Sequence, residues 1–342
     1  MIIVTDNLIE PFDEGSKIAT SKIIEHIYSR TKPFVISLNS PDHFPYVHNI
    51  FKTNNLLCNT SFYKALIKQK YNNILYIPNA SATFFSIIRA KLLNVFTRKN
   101  VYILALQPRV YSKLEQLIVK IISPKLIITL SRKTSQYLSQ MNIDNKYIHL
   151  AVDKDKYFAF DYSKKMELRN KHGIDSSKTV LLHVGHIQPS RNLDWFLELK
   201  KNNSDLEIVI VSSSYSQCEQ GLYADLINEG VRIIDEYTPD MENIYNLADF
   251  YVFPVLSHAG AIETPLSVLE AMACNLPVIT TRFGSLEDTF EADEDFFYVQ
   301  SSAEIVDIIN NRKKTECNNR KKMLPFTWER IADQLVKVIE DQ

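Results

Sequence analysis

Short β-branched runs alternate with amphipathic helical stretches along nearly the whole of this chain, and few folds accommodate that pattern. Ile2 to Thr5, Pro33 to Ser37, Asn73 to Ile77, Val101 to Leu106, Leu126 to Leu130 and Tyr147 to Ala151 read as strands. Helical spacing fills the gaps near Ser16 to Tyr28, Ser61 to Lys68, Ala82 to Val95, Tyr111 to Ile122 and Arg132 to Met141. The alternation pauses in the polar stretch Asp153 to Asp161 and then restarts. Val180 to Gly185, Leu206 to Val211, Val231 to Asp235, Phe250 to Pro254 and Pro277 to Thr281 are the second set of strands. Their helices lie near Arg191 to Lys200, Glu219 to Glu229, Met241 to Leu247 and Pro265 to Cys274. Strands that alternate with helices form parallel sheets covered on both faces. At 342 residues the chain exceeds one typical core, so two α/β lobes of about 150 residues each are expected. The linker falls near residues 152–162.

Composition narrows the function. The formal net charge of −1 gives no reason to expect nucleic acid as a partner. The seven glycines never form G-x-G-x-x-G or a Walker-type loop, so dinucleotide and P-loop readings lose their physical basis. Cys58, Cys218, Cys274 and Cys317 are far apart and lack zinc or disulfide spacing, which suits reduced thiols in the cytoplasm. The start, MIIVTDN, begins directly with a strand, and no apolar run of membrane-spanning length follows. A cytoplasmic protein is expected, with peripheral contact at the inner face of the membrane left open. Ala82 to Arg98 is the candidate for that contact, because it is apolar with Arg89, Lys91 and Arg98 interspersed. A plain sheet-covering helix accounts for the same residues.

Ala261 to Thr280, AIETPLSVLEAMACNLPVIT, concentrates the chemistry. Thr264 reads as a cap with Pro265 at the first helical position, and Asn275 with Pro277 ends the helix. Backbone N–H groups at such a start, here at Leu266 and Ser267, form an anion site that Glu263 and Glu270 bracket. Upstream, Arg191 follows the strand that ends at Gly185, beside a helix start. A guanidinium there can grip a diphosphate through two parallel hydrogen bonds. In the first lobe, Gly15 opens a helix after the first strand and a polar loop containing Asp13 and Glu14. His183 reads as a core histidine. The basic stretch Asn310 to Lys322 reads as a solvated face.

The segment at Ala261 resembles the nucleotide-sugar-binding signature of family-4 retaining glycosyltransferases, which have the GT-B fold. In that family a Glu, seven residues, a second Glu and Ala-Met-Ala open the corresponding helix. Glu270-Ala271-Met272-Ala273 matches the second half, whereas Ile262 stands eight before Glu270 and the carboxylate comes one residue later, at Glu263. The family also has an Arg after the second-lobe glycine and a Lys five residues on. Here those positions are His186 and Arg191.

The resemblance implies two Rossmann-like, doubly wound domains facing a cleft, with boundaries at 1–155 and 156–325. It also implies a last helix, 326–342, that crosses back to the first domain. It further implies a nucleoside-diphosphate sugar as donor, a glycan, lipid or other hydroxyl acceptor, no cofactor and no catalytic metal. Arg191, His186, Thr264, Leu266 and Ser267 then hold the diphosphate, Glu270 the ribose, Glu236 and Tyr237 the base, and Glu263 the sugar. Gly15 then lets the backbone approach the donor phosphate and the acceptor. Gln107 replaces a family His that touches the transferred sugar, and it can hydrogen-bond a hydroxyl without shuttling a proton. Ser131 and Arg132 fit the strand–turn–helix that precedes the linker. Two alternatives share the fold: a nucleotide-sugar epimerase, and a non-catalytic subunit that only binds the donor.

Overall fold

A computed structural model describes every residue except 11, 13, 41–43, 80, 213–217, 258–259, 314–315 and 342. The chain divides into two compact units. Met1–Leu150, Ile262–Thr264 and Trp328–Gln342 form the first, and Ala151–Ala261 with Pro265–Thr327 form the second.

In the first unit the strands are β1 (Ile2–Thr5), β2 (Phe34–Leu38), β3 (Asn49–Phe51), β4 (Asn73–Ile77), β5 (Asn100–Ala105), β6 (Leu126–Thr129) and β7 (Asn145–Tyr147). Its helices are α1 (Gly15–Thr31), α2 (Thr60–Ile67), α3 (Phe84–Thr97), α4 (Lys113–Ile122) and α5 (Arg132–Gln140). The second unit opens with α6 (Tyr162–Lys171) and β8 (Thr179–Val184), then α7 (Asp194–Asn202), β9 (Leu206–Val211), α8 (Gln220–Asn228) and β10 (Arg232–Ile234). It continues through α9 (Met241–Leu247), β11 (Phe250–Phe253), α10 (Leu266–Ala273), β12 (Val278–Thr280), α11 (Leu286–Thr289) and β13 (Phe296–Tyr298). Helices α12 (Ser302–Asn311) and α13 (Asn319–Met323) complete it, and α14 (Trp328–Glu340) belongs to the first unit.

Among the described residues, the first sheet runs β3-β2-β1-β4-β5-β6-β7 and the second β10-β9-β8-β11-β12-β13. Every pair is parallel, with β1 in register between β2 and β4, and β8 between β9 and β11. Parallel strands are covered on both faces, which is why Ile2, Ile3 and Val4 in β1 and Leu181, Leu182 and His183 in β8 are all 0% exposed. The strand order reverses between β1 and β4 and again between β8 and β11. Loops after the strands that flank such a reversal leave a crevice, the usual ligand site of an open α/β sheet.

Several elements differ from expectation. Ile148, Leu150, Ala151 and Val152 are buried, but strand pairing stops at Tyr147, so these apolar residues marked burial and not a strand. The edge strands β3 and β13 are three residues each, too short to show a period of two. The stretch from Asn310 to Lys322 is not merely a solvated face. Arg320 donates to the carbonyls of Tyr157, Ala273 and Lys154, Asn319 is fully buried, and Arg312 pairs with Asp295 at 2.5 Å. Helix α14 buries Trp328, Ile331, Ala332, Leu335 and Ile339, an i, i+3, i+4 stripe, and packs on α1. Asp333 pairs with Arg30 of α1 at 2.8 Å.

Candidate functional site

The second unit places a buried arginine where β8 ends. After Val184 the chain turns at Gly185 and passes through a 3-10 turn, Pro189–Arg191, which Asn192 closes in a left-handed conformation at φ 56°. Arg191 therefore ends a 3-10 turn, and α7 starts only at Asp194, a correction to the helix start expected there. The Arg191 guanidinium folds back over Gly185. A Cβ at Gly185 would lie 2.4 Å from Arg191 Nη1 and 3.1 Å from His183 Nε2.

Arg191 is 8% exposed, and its Nε has no hydrogen-bond partner among the described residues. Burial pulls its pKa down to about 10, opposed only by the Tyr251 phenol. A buried guanidinium with no carboxylate beside it is costly unless an anion arrives. His183 is a core histidine. Its Nδ1 lies 2.9 Å from the Val252 carbonyl oxygen, and burial first, then Arg191, pulls it down to about 3, so it is neutral.

Helix α10 supplies the rest of the unit's polar centre. It starts at Leu266 with Pro265 as its cap residue and no side-chain cap. Thr264 does not cap it, contrary to expectation: it belongs to the first unit, where its hydroxyl donates to the Leu130 carbonyl at 3.3 Å. Leu266 is buried and Ser267 half-buried at the first turn, where backbone N–H groups have no helical acceptor. One turn on, Glu270 is 8% exposed and accepts a 2.7 Å hydrogen bond from the Tyr245 hydroxyl and another from Tyr157. Burial raises its pKa, and the two phenols oppose the rise. A carboxylate has about four acceptor positions, so two phenols leave it able to take more donors.

His186 is half-buried beside Gly185. Glu236 and Tyr237 lie exposed in the loop after β10. Sequence reading missed Tyr157, Tyr245 and Tyr251, because an isolated tyrosine carries no signal of what its hydroxyl meets.

The first unit places its expected residues differently. A Cβ at Gly15 would lie 3.2 Å from Ile262 Cδ1, so Ile262 is the residue that meets Gly15. Glu263 points elsewhere. It is 2% exposed, and its Oε1 accepts from Ser131 Oγ at 2.5 Å and from Thr134 Oγ1, at the N-terminus of α5. Its backbone N–H donates to the Leu106 carbonyl at 3.0 Å. One carboxylate oxygen, Oε1, is thus engaged within the first unit. The carboxylate complements the positive end of α5 and pins residues 262–264 to the first unit.

Ser131 caps α5 while donating to Glu263. Gln107 sits after β5, with its N–H and carbonyl both bonded to Ser81 Oγ, at 3.0 and 2.6 Å. Its side-chain oxygen accepts from Arg109 at 2.8 Å. Glu14 is the residue before α1 and pairs with Lys17 at 3.5 Å, and Asp13 lies outside the described residues.

Residues 178–311, in the second unit except for Ile262–Thr264, match the family described as Glycosyl transferases group 1. An enzyme named Probable sucrose-phosphate synthase from Thermosipho melanesiensis is 24% identical over 227 residues, 61% of this chain and 53% of that one. The chain thus spans about half the length of that curated relative. Two solved structures cover the chain throughout. A sucrose-phosphate synthase from Thermosynechococcus elongatus has a TM-score of 0.79 at 16% identity, covering 100% of this chain and 99% of the other. Anabaena HepE in complex with UDP has a TM-score of 0.77 at 13% identity, covering 100% of each. These likenesses show the fold, which is GT-B.

Proposed function

We propose that this chain is a glycosyltransferase of the retaining, family-4 type, moving a sugar from a nucleoside-diphosphate sugar to a hydroxyl of a glycan or lipid acceptor. The observation that carries the reading is Arg191, a buried guanidinium at the sheet's reversal point with no carboxylate partner among the described residues. It lies on the unit that matches the glycosyl transferases group 1 family, and a structural neighbour binds UDP.

In this reading Arg191 and the first-turn amides of α10, at Leu266 and Ser267, hold the diphosphate, with His186 as a further donor. Glu270, braced by Tyr245 and Tyr157, accepts the ribose hydroxyls. Glu236 and Tyr237 lie nearest the base. The bond from the sugar's anomeric carbon to the phosphate breaks as the acceptor oxygen bonds to that carbon on the same face. The acceptor's proton passes to the leaving phosphate oxygen, so no protein base is required. Negative charge grows on that phosphate, where fixed donors lower the barrier most. Gly15 and Gln107 of the first unit serve the acceptor side, and Thr264 and Glu263 position the segment that enters α10.

The burial of Glu263 favours one second reading, a non-catalytic subunit that only binds the donor. Incubation with UDP-, GDP-, ADP- and dTDP-sugars and a pool of hydroxyl acceptors separates the two. The proposal expects acceptor-dependent release of one nucleoside diphosphate, a product of unchanged anomeric configuration, and loss of both in Arg191→Ala. Binding without turnover supports the subunit. Interconversion of nucleotide sugars without an acceptor indicates an epimerase. Neither binding nor turnover overturns all three readings.

A further inference from the structure

Helix α4 of the first unit is built inside out. Leu114, Leu117, Ile118 and Ile121 recur at i, i+3, i+4 and i+7, the spacing that normally turns an apolar stripe toward the core. Here those residues are 69%, 65%, 36% and 80% exposed, and Val119 alone is buried. The helix is held locally instead, by a capping box in which Ser112 and Glu115 bond each other's backbone N–H groups. Val110, just before it, is 84% exposed.

The neighbouring helix α3, which packs against α4, adds a second outward stripe. Phe85, Ile88, Leu92 and Val95 share one face by helical spacing, with Phe85 61% and Val95 55% exposed. An apolar surface of this extent on a folded unit marks an interaction site.

Charge identifies what it meets. The chain as a whole is balanced, with 39 basic and 40 acidic residues, yet from Ala82 to Lys125 the only acidic residue is Glu115. Lys91, Arg98, Lys113, Lys120 and Lys125 flank the apolar residues along the chain, Lys91 half-buried and the other four exposed. Lys91 and Lys125 also line a cavity of about 160 Å³ together with Asn94, Asn100 and Ser123. A second copy of the same face would oppose like charges across a two-fold axis. An anionic bilayer complements both features, taking apolar side chains at the acyl boundary and basic ones at the phosphates.

We propose that the joint outer face of α3 and α4 docks the first unit on an anionic membrane surface. The docking face is therefore wider than the stretch Ala82 to Arg98 singled out by sequence, and its most exposed residues lie on α4. The experiment is flotation of the full chain with phosphatidylcholine vesicles and with vesicles containing phosphatidylglycerol. Leu117→Gln/Ile121→Gln and Lys113→Glu/Lys120→Glu variants are run beside wild type. All four positions are exposed, so circular dichroism and melting are expected to stay unchanged.

Wild type should float only with anionic vesicles, and each double variant should lose roughly tenfold or more of that binding. Absence of wild-type binding overturns the proposal. So does full binding by the Leu117/Ile121 variant. A wild-type dimer that the same variant dissolves, with no vesicle binding, assigns the face to self-association and overturns it equally.

Discussion

The guanidinium of Arg191 occupies the space where any other residue at 185 would carry its Cβ, 2.4 Å from Nη1. Gly185 is therefore required by a cation and not by a turn alone. Gly185→Ala is expected to push Arg191 off its position and to weaken nucleoside-diphosphate binding by about 10- to 100-fold, the scale of a lost hydrogen bond to a charged group. Isothermal titration of the variant against wild type measures this, and wild-type affinity in Gly185→Ala would show that Arg191 does not hold the ligand.

Arg191 should also separate stability from binding. Among the described residues no carboxylate pairs with its buried charge, so removal relieves a desolvation cost in the ligand-free protein. Arg191→Met is expected to melt within about 1 kcal/mol of wild type, or above it, because the charge is lost while the aliphatic packing remains. The thermal shift that a nucleoside diphosphate produces in wild type should disappear. A large loss of stability with the shift retained would place Arg191 among structural residues.

Glu270 gives binding a pH dependence with a definite sign. Burial raises its carboxyl above the ordinary 4.5, so the folded state holds the proton more tightly than the unfolded one. Stability is thus greatest at and below the ordinary value and declines as pH rises through the raised one. Ribose hydroxyls reward the ionised form, so nucleotide binding expels the proton and weakens as pH falls from the raised value toward 4.5. Calorimetry across that range should show the slope in wild type and its loss in Glu270→Gln. In Tyr245→Phe, which removes a donor that favours the ionised form, the slope should move to higher pH. A mere packing role for Tyr245 would leave the midpoint where it is.

Glu263 should behave as a structural carboxylate. Glu263→Ala removes the acceptor for Ser131 and Thr134 and leaves two buried hydroxyls to find partners. Chemical denaturation is expected to report a loss of about 2–3 kcal/mol, typical of hydrogen bonds to a charged group. Nucleoside-diphosphate affinity should change little, since the second unit holds that site. Abolished nucleotide binding in a folded Glu263→Ala protein would contradict this.

The α/β alternation was legible because buried parallel strands are apolar on both faces, as in Ile2 to Val4 and Ile208 to Val211. Arg191 and Glu270 stood out because a charge beside a strand's end or inside an apolar helix needs a reason. The anchoring of Glu263 escaped sequence reading because nothing local shows that a carboxylate will meet Ser131 and Thr134, over a hundred residues earlier. Thr264 failed for the same reason, its acceptor being Leu130 and not the helix it precedes. The outward stripe of α4 was read only as a helix, because periodicity gives a face and not the direction in which it points.

The central claim is that the second unit binds a nucleoside diphosphate through Arg191, and calorimetric titration with UDP, GDP, ADP and dTDP tests it most directly. The account predicts saturable, stoichiometric binding of at least one of them by wild type and none by Arg191→Ala. Wild-type protein that binds no nucleoside diphosphate, or a variant that binds as tightly as wild type, would contradict it.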